Sequence, residues 1–150
     1  MRVVVQKVKN ASVKVNNQLV GEIKNGLMVL AGYESSDTSE DISWMIQKII
    51  KMRIFEDSEN KLNFSVIDVY GEILLISQFT LHASVKKGNR PSYIKAADSK
   101  KAKQMYDQTI IEFETVLKRK ISTGNFGANM EVSLVNNGPV TITIDSKKKE

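Results

Sequence analysis

Apolar residues between Met1 and Gly32 come in short alternating or continuous runs, interrupted at Asn16-Asn17 and Asn25-Gly26. This is the rhythm of extended chain, and it predicts strands at 2–9, 11–15, 18–23 and 27–32. Asn and Gly tolerate positive φ, so both interruptions are predicted to close hairpins. The period then changes. Ser36-Asp37-Thr38-Ser39 offers N-cap oxygens with Glu40 and Asp41 close behind, and Ile42, Met45, Ile46, Ile49 and Ile50 recur at helical spacing. The pattern predicts an amphipathic helix over 38–53. A second stripe from Ala102 through Met105, Tyr106, Ile110, Phe113 and Leu117 to Ile121 predicts a helix starting at Asp98 or Ser99 and ending near 121.

Between the helices, 55–60 reads as a polar turn leading into short extended pieces at 62–64 and 65–68. The run Ile73-Leu74-Leu75-Ile76 is apolar on both faces, which predicts a central strand over 72–78. Two last strands, 130–136 and 140–145, are predicted to pair around Asn136-Asn137-Gly138-Pro139. The expected fold is a single α+β domain spanning 1–150, with two long helices on a mostly antiparallel, curled, barrel-like sheet.

Composition narrows the chemistry. At 150 residues the chain can bury a sizeable core without a metal or a disulfide. It contains no cysteine and one histidine, His82, which excludes disulfides, thiolate catalysis and a multi-histidine metal site. Neither GxGxxG nor GxxxxGK[ST] occurs, so no nucleotide cofactor is expected. The expectation is an enzyme or binding module with neither metal nor cofactor. The polar residues Arg2 and Gln6 interrupt the N-terminal run, and no apolar run approaches the length of a membrane span. A cytoplasmic location without a membrane partner is expected.

Charge is uneven. Residues 1–85 carry 9 Lys/Arg against 10 Asp/Glu, whereas residues 86–150 carry 13 against 7. The cations gather in Lys86-Lys87-Gly88-Asn89-Arg90, Lys100-Lys101-Ala102-Lys103, Lys118-Arg119-Lys120 and Lys147-Lys148-Lys149. Such a bias suits a phosphate backbone, although basic helix ends and a solvated lysine tail give the same count.

Two stretches could carry function. Ser77-Gln78-Phe79-Thr80-Leu81 begins where the buried strand ends. Two hydroxyls, an amide and a turning backbone with free N–H groups make a possible oxyanion cradle there. Thr80 and His82 could also suggest an activated nucleophile, but no third group orients them and His82 reads as a loop residue. Asp68 and Glu72 read as solvated turn acids. The second stretch is Gly138-Pro139. Proline removes a ladder donor, and glycine allows unusual φ or close approach to a ligand. A cis Gly-Pro step would aim both carbonyls similarly; a plain structural turn is the other reading.

Together these stretches resemble a known family. Met1–Gln6 with Ala11-Ser12-Val13, then Arg53-Ile54-Phe55-Glu56-Asp57, Ser77-Gln78-Phe79-Thr80-Leu81, Lys87-Gly88-Asn89-Arg90-Pro91-Ser92-Tyr93, Thr123-Gly124-Asn125-Phe126-Gly127-Ala128-Asn129-Met130 and Asn137-Gly138-Pro139-Val140-Thr141 occur in the order seen in D-aminoacyl-tRNA deacylases. The resemblance implies hydrolysis of the ester joining a D-amino acid to the acceptor end of tRNA, a chiral proofreading step in translation. Glycyl-tRNA, mischarged on tRNA(Ala), is a further substrate it suggests. It implies a homodimer with active sites at the interface. Ser77, Gln78, Phe79 and Thr80 would supply the catalytic pocket floor. Gly138 and Pro139, as a Gly-cisPro step of the other subunit, would exclude L-amino acids. Phe126, Gly127, Ala128 and Met130 would lie near the terminal adenosine, and Lys86, Lys87 and Arg90 would hold tRNA phosphates. No DNA partner is implied. Two departures are visible: Asn136-Asn137-Gly138 stands for the family's Asn-Asp-Gly, and Leu81-His82-Ala83-Ser84 for Leu-Tyr-Ala-Asp. Two readings outside the family are a non-catalytic RNA-binding module and an esterase with Thr80 as nucleophile.

Overall fold

One long strand, β1 (Arg2–Val15), is the axis of the computed structural model, which describes residues 1–149. Along one edge β1 pairs with β8 (Glu131–Asp145). Along the other it pairs first with β2 (Gln18–Ile23) and then with β3 (Gly26–Gly32), all antiparallel. The hairpin at Asn16-Asn17 forms as expected, with φ of 50° and 63°. Asn25-Gly26 does not close a second hairpin. β2 and β3 run end to end beside β1, from Val15↔Gln18 to Arg2↔Gly32, and Asn25-Gly26 is only the break between them. Likewise the polar pair Lys9-Asn10 does not divide β1. Partners on both sides hold the strand, and the interruption appears as register shifts next to Val8. Those shifts change the parity of the pleat, so Val8, Ala11 and Val13 all reach one core cluster.

The sheet is mixed: to its three antiparallel pairings it adds two parallel ones. β6 (Glu72–Ser77) lies parallel to β3 from Gly26↔Glu72 to Ala31↔Ser77, and β7 (Ser122–Thr123) lies parallel to β6. The apolar run in β6 required a central position but not a direction. The sheet then curls until β7 meets β2, where the Ser122 hydroxyl donates to the Glu22 carbonyl at 2.7 Å. The barrel-like curl is therefore present, nearly closed. A small separate ribbon pairs β4 (Phe55–Glu56) with β5 (Leu62–Phe64), while 65–68 belongs to a turn rather than a strand.

Helix α1 (Ser39–Lys51) begins at Thr38, whose backbone N–H donates to Asp41 at 2.9 Å. Helix α2 (Ser99–Leu117) is capped by Asp98, which accepts from the Lys101 N–H at 3.0 Å. It stops at Lys118, which turns left-handed at φ 54°, so Ile121 lies beyond the helix. The helices cover one face of the sheet. Ile42, Ile46 and Ile49 of α1 and Phe113 of α2 pack there on Val5, Val29 and Leu75. Burying each such side chain stabilises the fold by about 1.5–3 kcal/mol. Inside the curl a second cluster joins Val13, Met28, Leu74 and Ile76. No helix among the described residues is long and apolar enough to cross a membrane.

The closing segment departs most from expectation. Residues 130–136 and 140–145 are not a hairpin; they are the two halves of β8, and both pair with β1. Val8↔Asn136 is followed by Gln6↔Thr141, so the chain bulges out between these pairs. Gly138-Pro139 occupies that bulge, and the peptide bond is cis. Gly138 has φ 131°, a conformation few side chains tolerate, and both residues are exposed.

Candidate active site

The parallel pair β3–β6 delivers two chain ends to one place. Ser77 is the last residue of β6 and stands beside Ala31 of β3. The Gln78 N–H donates to the Ala31 carbonyl at 2.7 Å, after which the chain leaves the sheet as a 3-10 turn, Phe79–His82. Within it Leu81 N–H donates to the Gln78 carbonyl at 3.3 Å and Ala83 N–H to the Thr80 carbonyl at 3.0 Å. The Phe79 and Thr80 N–H groups find no protein acceptor among the described residues. The turn closes onto β3 only because residue 32 is glycine: a Cβ there would lie 2.6 Å from the Gln78 carbonyl oxygen. Behind the turn, Arg2 donates to the Leu81 carbonyl at 3.1 Å and to Asp145 at 2.8 Å.

A cleft of about 510 Å³ opens in front of this turn. Ala31 and Gly32 line it from the end of β3 and Tyr33 from the residue just beyond, with Ser77, Gln78 and Phe79 beside them. Phe126, Gly127, Ala128, Asn129 and Met130 form the opposite wall, in the loop between β7 and β8. The start of α2 contributes Ser99 and Ala102. The second wall is tied to the first through Leu75, whose carbonyl accepts from the Tyr106 hydroxyl at 2.8 Å and from the Gly124 N–H at 3.2 Å. Tyr106 also packs against Phe126, ring centroids 5.6 Å apart.

Electrostatically the cleft is nearly empty. Among the described residues, Tyr33 is the only one lining it with an ionisable side chain. Burial pushes that phenol well above its ordinary pKa, and its oxygen shares a 2.8 Å hydrogen bond with Thr109. It is neutral at physiological pH and has no part as a base. What remains for chemistry is amides, hydroxyls and backbone N–H groups.

Seven of the expected site residues meet here: Ser77, Gln78, Phe79, Phe126, Gly127, Ala128 and Met130. The Thr80 side chain does not line the cleft; its hydroxyl accepts from Gln78 Nε2 at 2.6 Å. His82 is not a loop residue. It ends the 3-10 turn, 1% exposed, with neither ring nitrogen hydrogen-bonded, and its nearest acid is Glu34 at 3.8 Å. No Thr80–His82 couple exists. Asp68 and Glu72 are structural: Asp68 accepts from the Ser65 N–H at 2.8 Å and Glu72 from the Lys24 N–H at 2.6 Å. Gly138 and Pro139 lie outside the cleft, as do Lys86, Lys87 and Arg90 on their exposed loop. A larger groove of about 800 Å³, bordered by Trp44 of α1 and Ile142 of β8, contains none of the expected site residues. Sequence reasoning missed Gly32, Tyr33, Ser99 and Ala102. No local signal marks Gly32, which reaches the cleft only through the parallel pairing of β3 with β6.

Comparison with known proteins finds relatives over nearly the whole chain. The family model described as D-Tyr-tRNA(Tyr) deacylase matches residues 4–145. The chain is 53% identical to a D-aminoacyl-tRNA deacylase of Flavobacterium psychrophilum and 55% identical to one of Flavobacterium johnsoniae, over 150 residues and the whole of each chain. Its structure is similar to that of a c-Myc DNA unwinding element binding protein, at 38% identity and TM-score 0.92, covering 97% of this chain and 98% of that one. A probable eukaryotic D-amino acid tRNA deacylase shares the fold at 18% identity and TM-score 0.85, over 95% and 97% of the two chains.

Proposed function

The chain belongs to the D-Tyr-tRNA(Tyr) deacylase family, and we propose that it hydrolyses D-aminoacyl-tRNA with backbone groups rather than with a side-chain nucleophile. As a member it is a hydrolase of the ester bond in aminoacyl-tRNA. What supports the mechanism is a cleft with no charged side chain among the described residues that line it, beside a turn whose Phe79 and Thr80 N–H groups have no protein acceptor.

The reaction follows from that inventory. A water oxygen bonds to the acyl carbon while the carbonyl oxygen gathers negative charge. The N–H groups of Phe79 and Thr80 stabilise that charge, as preorganised donors in a water-poor site do. The bond to the ribose 3′ oxygen then breaks, the 3′ oxygen takes the proton that the attacking water gives up, and free D-amino acid and tRNA leave. With no protein base in the cleft, the neighbouring ribose 2′ hydroxyl orients the water. An aminoacyl ester is already activated, so positioning and oxyanion stabilisation suffice. Phe126, Gly127, Ala128 and Met130 receive the terminal adenosine between an aromatic and a thioether surface. Lys86, Lys87 and Arg90 reach phosphates of the acceptor stem, which makes binding salt-sensitive.

Chiral selection needs a second chain. Gly138 and Pro139 are exposed on a bulge outside the cleft of their own chain. In a homodimer they enter the partner's cleft, where their carbonyls face the substrate's α-carbon. A D-substituent or the hydrogen of glycine fits, so glycyl-tRNA is also accepted, and an L side chain collides. The protein acts in the cytoplasm, where its substrate is made.

Thr80→Ala separates this mechanism from an esterase with a threonine nucleophile. The substitution removes the hydroxyl bonded to Gln78 and leaves the N–H in place. Hydrolysis of D-tyrosyl-tRNA is expected to stay within about tenfold of the unmodified protein, since one neutral hydrogen bond contributes ~1 kcal/mol. Complete loss of turnover in a folded Thr80→Ala protein would reinstate the nucleophile.

A further inference from the structure

We propose that Tyr93, set edge-on against Phe79, is a stacking platform for the unpaired nucleotides that precede the terminal adenosine of tRNA. The inference rests on the deacylase reading and extends it from the terminal nucleoside to the strand behind it. Phe79 and Tyr93 are 55% and 40% exposed, with ring centroids 5.0 Å apart and planes inclined at 71°. Two large aromatic side chains are thus left facing solvent beside the cleft, and Phe79 itself lines that cleft.

Backbone hydrogen bonds anchor the chain on both sides of Tyr93. Ser84 and Ser92 exchange backbone hydrogen bonds of 2.8 and 2.9 Å, closing the loop between them immediately before Tyr93. On the other side, the Ala96 N–H donates to the Tyr93 carbonyl at 2.9 Å and the Ala97 N–H to the Tyr33 carbonyl at 2.9 Å. The loop is also strongly charged. Residues 83–95 carry Lys86, Lys87, Arg90 and Lys95 and no acid. An aromatic surface edged with cations and free of carboxylates matches single-stranded nucleic acid, whose bases stack while its phosphates meet lysine and arginine. The side chain of the amino acid would need the rings but not the four cations. A nucleotide needs both. With the terminal adenosine in the cleft, the preceding unpaired nucleotides of the CCA end are the ones within reach of a ring just outside it.

The test uses the intact protein and a non-acylated RNA hairpin ending in an unpaired 3′ ACCA, with affinity read by fluorescence anisotropy at fixed salt. A second hairpin carries abasic residues in place of both cytidines. Tyr93→Ala is expected to weaken ACCA binding about tenfold or more. Tyr93→Phe should retain the affinity, and Ile94→Ala, which removes an apolar side chain 93% exposed next door, should also retain it. The abasic hairpin should bind equally weakly to the unmodified protein and to Tyr93→Ala. Unchanged ACCA binding in Tyr93→Ala overturns the platform, and so does an equal loss on both hairpins. Hydrolysis of D-tyrosyl-tRNA by the unmodified protein is measured alongside: its absence defeats the deacylase reading, while the anisotropy result decides the platform on its own.

Discussion

Gly32→Ala is expected to lower kcat/KM for D-tyrosyl-tRNA by about a hundredfold while leaving the protein folded, the magnitude of losing one oxyanion donor. An added Cβ would lie 2.6 Å from the Gln78 carbonyl oxygen, 3.2 Å from His82 Cδ2 and 3.2 Å from Leu81 Cβ. All three atoms belong to the segment that forms the cleft floor, and none to the sheet. Relief therefore comes from the segment moving off β3, which shifts the Phe79 and Thr80 N–H groups proposed to stabilise the oxyanion. The cost in stability is that of a single overpacked site, ~1–3 kcal/mol. Steady-state kinetics together with thermal unfolding of the variant check both halves. A Gly32→Ala protein that is folded and fully active would show that the position of this turn does not matter to catalysis.

The same substitution six residues earlier has a different consequence. At position 26 the added Cβ would fall 1.9 Å from the Glu72 carbonyl oxygen and 2.6 Å from its nitrogen. These are main-chain atoms of the first residue of β6, pinned by the Glu72 N–H donating to Asn25 at 3.0 Å. No side chain can rotate away. The parallel ladder must open at Gly26↔Glu72, and Leu27 and Ile73, both buried, follow it. The loss is expected to exceed ~3 kcal/mol, a large part of the ~5–15 kcal/mol that holds a domain together. Urea unfolding of Gly26→Ala should show it, or no soluble protein should be recovered; a midpoint unchanged from the unmodified protein would contradict the close packing described. Because this ladder also sets Ala31 beside Ser77, Gly26 fixes the alignment on which the cleft depends.

These two glycines mark where the sequence could and could not be read. The helices were legible because Thr38 and Asp98 cap sequences whose apolar spacing has a single helical solution. The β6 core was legible from its unbroken apolar run, and the turn at Ser77-Gln78-Phe79 from the end of that run. Strand direction was not. Nothing local in Leu27–Gly32 or Ile73–Ser77 states that these strands lie parallel, since that is decided by the path of α1 between them. Gly32 and Tyr33 were hidden for this reason, reaching the cleft only through a pairing across 40-odd residues of chain. The bulge at Gly138-Pro139 misled in the opposite sense. Turn-forming residues between two β runs normally indicate a hairpin, yet β1 is long enough to pair with both halves of β8. Thr80 and His82 looked like neighbours in the sequence, but the turn sends the hydroxyl to Gln78 and buries the imidazole near Glu34.

The central claim is that an uncharged cleft performs ester hydrolysis and chooses by chirality. It is tested most directly by giving the purified protein D-tyrosyl-tRNA and L-tyrosyl-tRNA side by side and following release of each amino acid. Rapid release of D-tyrosine alone is the predicted result. Release of neither, with tRNA still bound, would reduce the cleft to an RNA-binding surface, and equal release of both would leave Gly138 and Pro139 without a part in selection.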